Sequence, residues 1–519
     1  MRDEKIEKLL SYAGNEHRYQ YCVLGIFLFL WMNCNFMAVV LPYLERQPII
    51  IYTDENNIIH EESLNYEICN KNYKIKERFG YSWVSELDIE CDQLMIGLIG
   101  VFTFIGNTLG SVAFSIVTKC LKHKQILILS SIGFSISIFT CTIVHKLEDI
   151  YIIFISLCFV GLFGNLLCYS SLVVAEEIVS SQKRSLFSSV INTGYGFCGI
   201  MYSLIFMYVQ NWRYDFYILI ALSLLLGIII GCFVYESPRI YIDNKGVEGT
   251  LFILKGIAKF NGKKEEFDSF QKSEEYKNLI KEIMDYNTNE SIEMGEINND
   301  NENDSNTLII YKDKDKKKGE EINIFSSLKY PSLRYKFLIL CIIWFGTRST
   351  SNSISLSCKS LPGNYYFNII FLFIFESIAY NVSGYLINIK SLGRKGTLWL
   401  QYFIIATVFI ILSFIEFPLP VELSLNFISR FCAAAIELVY WTYTLEVYPT
   451  PVRSLNFGIN VTFGNIGSIL SPLVYEYLPS WLFLFVFALL SGFHSFLIYF
   501  LPETVDKPMV ETIEELDQK

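Results

Sequence analysis

The chain has 519 residues, of which 52% are hydrophobic, 16% aromatic and only 18% charged. A water-soluble protein of this length carries more charge, so the composition excludes an ordinary soluble enzyme and points to many membrane spans. The net charge of -10 gives no reason to expect nucleic acid as a partner, since the acids lie mostly outside the apolar runs.

Residues 1–21 form a charged leader. The apolar run that follows lacks a small-residue cleavage site and reads as a retained span, not a signal peptide. About 20 apolar residues cross a hydrocarbon core. By that measure six runs precede the middle of the chain, at 22–41, 94–117, 126–144, 150–174, 186–209 and 217–235. Six follow it, at 335–357, 366–386, 397–415, 421–445, 455–475 and 481–501. Lys119, Lys122, Lys124, Lys183, Arg184, Lys390, Arg394, Lys395 and Arg453 all fall in loops on one side, while the long loop 43–92 carries eleven acids against five bases. Cationic loops stay cytoplasmic, so both termini are expected in the cytoplasm. The expected fold is an all-α membrane protein of twelve transmembrane helices. They form two six-helix bundles, 22–235 and 335–501, the layout of carriers whose halves rock about a midplane site.

Between the bundles lies a cytoplasmic loop, 236–334. Pro238 cannot continue the preceding helix and Arg239 prefers the interface. Val247, Leu251, Leu254 and Ala258 then recur at helical spacing, which predicts an amphipathic helix under the membrane. Residues 264–322, rich in Lys, Glu, Asn and Asp, are expected to be disordered. Residues 502–519 form a cytoplasmic tail.

A charge at midspan costs about 2.5–3.5 kcal/mol on insertion scales and must face the bundle interior or a wet cavity. Arg348, Glu376 and Glu437 are such charges. Their roles are open between solute or proton contact and mutual pairing, for instance Arg348 with Glu376. Aromatic faces hold organic cations, and Trp441 beside Glu437 is the best placed; Trp344, Tyr365, Tyr366, Phe371, Tyr440 and Tyr443 are further aromatics of this kind. Cys69 and Cys91, the two cysteines of loop 43–92, lie on the oxidising side and offer one disulfide. There is no C-x-x-C pair and no G-x-x-x-x-G-K-[ST] loop, so neither a metal nor a nucleotide cofactor is expected.

Several stretches carry a resemblance. ESPRIYIDNKG (236–246) and IAKFNGK (257–263) follow the sixth span. RYQ (18–20) precedes the first, VSELDIEC (84–91) the second and FSSLKYPSLR (325–334) the seventh. EEIVSSQKR (176–184), Trp212-Arg213, PGNYYFN (362–368), SLGRKGTL (391–398), YTLEVYPTPVR (443–453) and LPETVDKPMVETIEE (501–515) complete the set. Together they resemble the organic cation/anion/carnitine transporter family of the major facilitator superfamily, over nearly the whole chain except 264–322. Sugar porters share ESPR but end differently.

The resemblance implies a cytoplasmic latch of Glu177, Arg184, Arg394, Glu446 and Arg453, with Glu177/Arg184 and Glu446/Arg453 at one spacing in the two halves. The family's acid before the glycine-arginine element is replaced by Lys119 and Lys390. A lysine neither pairs with arginine nor caps a helix N-terminus, so a weaker or differently wired latch is expected. The family's charged position in the eleventh span is Asn465, and its aromatic pair in the seventh is Ser351-Asn352. Asn352 and Asn465 thus join Arg348, Glu376, Glu437 and Trp441 as expected solute contacts. The expected function is secondary-active or facilitative transport of small organic ions or zwitterions by alternating access, without catalysis. The expected partners are the solute, the lipid bilayer, which the resemblance implies is the plasma membrane, and a coupling proton or sodium ion. The rival readings are a receptor or scaffold on a transporter fold, and a sugar porter.

Overall fold

The computed structural model describes residues 2–14, 16–53, 59–64, 68–69, 73–179, 181–209, 211–236, 238–280, 326–357, 363–387 and 389–505; the side chains of Lys119, Arg184 and Arg453 lie outside the description. In chain order the helices are α1 Arg2–Ala13, α2 Arg18–Cys34, α3 Phe36–Leu44, α4 Trp83–Glu86, α5 Gln93–Cys120, α6 His123–Thr142, α7 Ile150–Glu177, α8 Ser181–Tyr208 and α9 Trp212–Phe233. They continue as α10 Pro238–Phe260, α11 Lys264–Gln271, α12 Ser326–Lys329, α13 Pro331–Ser357, α14 Tyr365–Leu386, α15 Gly393–Phe414, α16 Leu419–Val447, α17 Thr450–Tyr477 and α18 Ser480–Ile498.

Among the described residues, eleven helical segments are long and apolar enough to cross a membrane, with α2 and α3 counted as one. The expectation was twelve. The difference is α13, which has 27 residues but runs TRSTSNS through its middle. Thr347, Ser349, Thr350, Ser351 and Ser353 are all buried. Its polarity faces inward, so its composition does not read as lipid-facing.

The chain divides into two compact units: Met1–Val23, Val174–Arg184 and Tyr235–Ser326 make one, and Leu24–Val173, Ser185–Val234 and Ser327–Lys519 the other. In the first, Pro238 opens α10, where its missing N–H costs nothing. Asn261, just past α10, donates to the carbonyls of Ala13 and Gly14 at 3.1 and 2.9 Å and accepts from the Tyr19 N–H at 2.8 Å. Tyr12 stacks on Phe270 at 3.6 Å, and Lys8 pairs with Glu275 at 2.6 Å. Within the stretch expected to be disordered, 264–271 is helix α11, anchored by buried Phe267 and Phe270. Residues 281–325 lie outside the described residues.

The larger unit holds the helical bundle. Large apolar side chains such as Ile116, Ile136, Ile155, Ile228 and Phe233 face outward. Serines such as Ser130, Ser131 and Ser135 are buried, inverting the soluble pattern. α5 and α7 meet backbone to backbone: a Cβ on Gly106 would lie 2.0 Å from the Cys158 carbonyl oxygen, and one on Gly161 2.4 Å from that of Thr103. Only glycine permits that approach.

The loop before α5 adds what an all-α reading omits, a three-stranded antiparallel sheet in the order β2-β1-β3. Its strands are β1 Ile49–Thr53, β2 Ile59–Ser63 and β3 Tyr73–Glu77. Ile49 pairs with Ser63 and Ile51 with Lys74, and a register shift falls between Ile49 and Ile50. Ile50, Leu64 and Ile68 form its small core, and Cys69 is joined to Cys91 by a disulfide. Glu86 of α4 accepts from Trp212 Nε1 at 2.5 Å and from Arg213 at 2.6 Å, fastening the loop to α9.

Candidate functional site

All the charges expected inside the spans lie in the larger unit, and they sort into two ion pairs. Arg348 of α13 pairs with Glu437 of α16. Glu376 of α14 accepts from Arg430 of α16 at 2.6 Å and from the Tyr380 hydroxyl at 3.0 Å. Arg348 with Glu376, the pairing offered from sequence, is therefore corrected: each carboxylate takes a different arginine. Helix rotation decides this, since α13, α14 and α16 turn Arg348 and Arg430 toward different neighbours. Arg430 was overlooked, although an arginine within the apolar run 421–445 is itself a signal.

The two pairs differ in access. The Arg430 and Glu376 side chains are 3% and 1% exposed. Arg430 also donates to the Ser351 carbonyl at 3.0 Å and to Ser355 Oγ at 2.7 Å, so it clamps α13, α14 and α16 together. Arg348 and Glu437 are 25% and 15% exposed. The Arg348 guanidinium lies 5.9 Å from the Trp441 ring, and its stem packs on α17, where a Cβ on Gly464 would sit 2.9 Å from Arg348 Cγ. Arg348 Nε has no hydrogen-bond partner among the described residues.

The two asparagines bridge helices. Asn352 donates to Ser468 Oγ on α17 at 2.7 Å and to the Arg348 carbonyl at 3.0 Å. Asn465 of α17 donates to Ser111 Oγ of α5 at 2.9 Å. Ser111 also accepts from Asn165 of α7 at 3.2 Å and bonds the Tyr169 hydroxyl at 3.2 Å. Asn465 thus belongs to a neutral network joining the two halves of the bundle. Trp441 stands near Tyr169, at 6.3 Å, and Trp344, at 5.4 Å. Trp344 Nε1 donates to Thr444, Tyr440 to the Leu340 carbonyl and Tyr443 to that of Pro502, so these three aromatics are tied into the core.

At the other end of the C-terminal helices, Arg394 makes a two-pronged contact with Glu446 at 3.1 and 3.2 Å and donates to the Ile387 carbonyl at 3.0 Å. Glu503 accepts from the N–H groups of Arg394 and Lys395 at 3.1 and 3.0 Å. A carboxylate therefore does cap α15 despite lysine at position 390, but it comes from the LPET segment. Gly393 makes room, with φ of +63° and its Cα so close that a Cβ would lie 2.5 Å from Glu503. Thr504 donates to Glu446 at 2.5 Å. Glu177 closes α7 in the smaller unit, and any pairing of Arg184 or Arg453 falls outside the described side chains.

A bundle of apolar helices with inward polar faces and paired charges at its centre is the build of a membrane carrier. The sequence profile of the Major Facilitator Superfamily matches residues 23–472. The chain belongs to that superfamily and is a multi-pass membrane transporter. It is 24% identical over 444 residues to solute carrier family 22 member 6 of Oryctolagus cuniculus, spanning 84% of this chain and 73% of the relative. It is 24% identical over 469 residues to organic cation/carnitine transporter 2 of Rattus norvegicus, spanning 88% and 75%. Organic anion transporter 3 of Homo sapiens is 26% identical over 378 residues, spanning 71% and 62%. The fold is shared with the inward-open xylose transporter of E. coli, with a TM-score of 0.64 at 13% identity over 96% of this chain and 99% of that one.

Proposed function

We propose that this chain carries small organic solutes, organic ions or zwitterions, across the plasma membrane by alternating access and without chemical change. In this reading α13 is the twelfth span, the bundles are 22–235 and 335–501, and both termini face the cytoplasm. Lipid surrounds the outward apolar faces. The solute gradient or an exchanged proton or sodium ion supplies the energy. Arg394, Glu446 and Glu503 latch the cytoplasmic side, with Glu177, Arg184 and Arg453 assigned to it by position.

The observation that carries the reading is the Arg348–Glu437 pair. It is the more accessible of the two pairs and lies by the face of Trp441. It offers one cation, one anion and an aromatic face, which suits a solute bearing charge. The Glu376–Arg430 pair is sealed and acts as a clamp. Relatives named for organic anions, cations and carnitine fit the same chemistry.

The test is uptake by proteoliposomes holding the purified chain, with labelled organic cations, organic anions, zwitterions such as carnitine, and glucose. Saturable uptake of a charged class is expected. R348Q should depress uptake of anionic solutes, and E437Q of cationic ones, by about tenfold, the worth of one charge-assisted hydrogen bond. Ligand binding with no flux would instead favour a receptor, and glucose uptake a sugar porter.

A further inference from the structure

Arg46 follows α3, at the disulfide-bearing end of the larger unit. Its guanidinium carbon lies 3.6 Å from the centroid of Phe79, 4.1 Å from Tyr365 and 5.5 Å from Tyr366. It donates to the Tyr81 hydroxyl, which is bonded in turn to the Tyr366 hydroxyl at 2.9 Å. Tyr43 packs beneath, 5.3 Å from Tyr365 and 6.0 Å from Tyr81. Phe79, Tyr81 and Tyr365 are buried, while Arg46 and Tyr366 are half-buried. Among the described residues no carboxylate pairs with Arg46.

Among the described residues the guanidinium is thus held by ring faces and one hydroxyl, with no carboxylate beside it. Ring quadrupoles attract any weakly hydrated cation and do not distinguish a tethered one from a free one. The rings come from two places. Phe79 and Tyr81 precede α4, and Tyr365 and Tyr366 open α14. The Tyr365 hydroxyl also donates to the Pro42 carbonyl at 2.6 Å. Arg46 therefore ties the start of α14 to the end of α3 and the 79–81 turn.

We propose that these rings are a binding station for the cationic group of an organic solute, a guanidinium or quaternary ammonium, and that Arg46 is its built-in occupant. Solute and Arg46 exclude one another. A solute that displaces Arg46 removes one of the ties between α14 and the first half of the bundle and leaves the Tyr365–Pro42 and Tyr81–Tyr366 bonds, which loosens this end. The proposal rests on the reading of the chain as a carrier of organic ions.

Binding of tetramethylammonium and of methylguanidinium to the full chain in nanodiscs, measured by titration calorimetry, tests it. R46Q should bind both about tenfold more tightly than wild type, since the internal competitor is gone. R46K, with a cation that grips ring faces less well than a planar guanidinium, should fall between them. F79L/Y365L added to R46Q should abolish the gain. Equal or weaker binding by R46Q and R46K, or a gain that survives loss of the two rings, overturns the proposal. If R46Q does not fold, R46K against wild type decides alone. Because the readout is binding, a chain that binds in this pattern but moves no solute refutes the carrier reading and not the station.

Discussion

The Glu376 and Arg430 side chains are almost wholly enclosed, and each has further polar partners that fix its direction. Removing one member leaves a charge in a low-dielectric interior. E376Q should therefore lower unfolding stability by about 3–5 kcal/mol, read as a fall in thermal midpoint in detergent. E376L/R430M, which removes both charges together, should recover most of that loss. A double variant as unstable as E376Q would mean that the pair's geometry, and not charge balance, is what α14 and α16 need. Arg348 and Glu437 face a different condition. They are more exposed, so their replacement should act on solute affinity more than on stability. From sequence all these charges look alike. Which arginine meets which carboxylate depends on the rotation of three helices, and composition is blind to that.

At the scale of the element, α15 shows how a local defect is repaired from afar. Lys390 withholds an N-terminal carboxylate, and Glu503 supplies it through two backbone N–H groups. E503A should cost about 1 kcal/mol, the usual worth of a helix cap, measured as a shift in thermal midpoint. The leader helix α1 is docked by weaker means. The Lys8 hydrogen bond and charge hold the Glu275 carboxyl below the usual carboxylate range. A carboxyl with a lowered folded value stabilises docking above the unfolded value, about 4.3, and ceases to do so as pH falls through the lower folded one. Protection of the amides across 2–13, taken against their intrinsic exchange rates, should thus fall on acidification past that window, and E275Q should show the lower protection at neutral pH. The signal for α11 was present in the sequence, since Phe267 and Phe270 share one face, but it was masked by the charged residues around them.

At the scale of the molecule, the neutral Asn465–Ser111 bond joins α17 to α5, one helix from each half. A hydrogen bond between membrane helices is worth about 0.6 kcal/mol. N465A should therefore shift the population away from this arrangement by about threefold, read as faster exchange of the α5–α17 contact. N465D would place an unpaired carboxylate beside Ser111 and should disturb the arrangement more. An unchanged exchange pattern in both would show that the bond does not bias the halves.

The membrane class, the order of the spans and the loop that carries the disulfide are properties of composition along the chain. Long apolar runs must cover hydrocarbon, and the loop between the first two holds two cysteines with no other partner in it. These could be read before any helix was packed. Even α13 was legible as an element, through its place in the six-and-six pattern, despite TRSTSNS. What the tertiary structure decided are the contacts between residues distant in sequence: Arg430 with Glu376, Asn465 with Ser111, Glu503 with the start of α15, and Arg46 with three rings and the Tyr81 hydroxyl. The reason is physical. Insertion into a membrane responds to the summed transfer energy of a segment, which sequence contains. Pairing of side chains responds to angles and distances between segments, which exist only once the helices have packed.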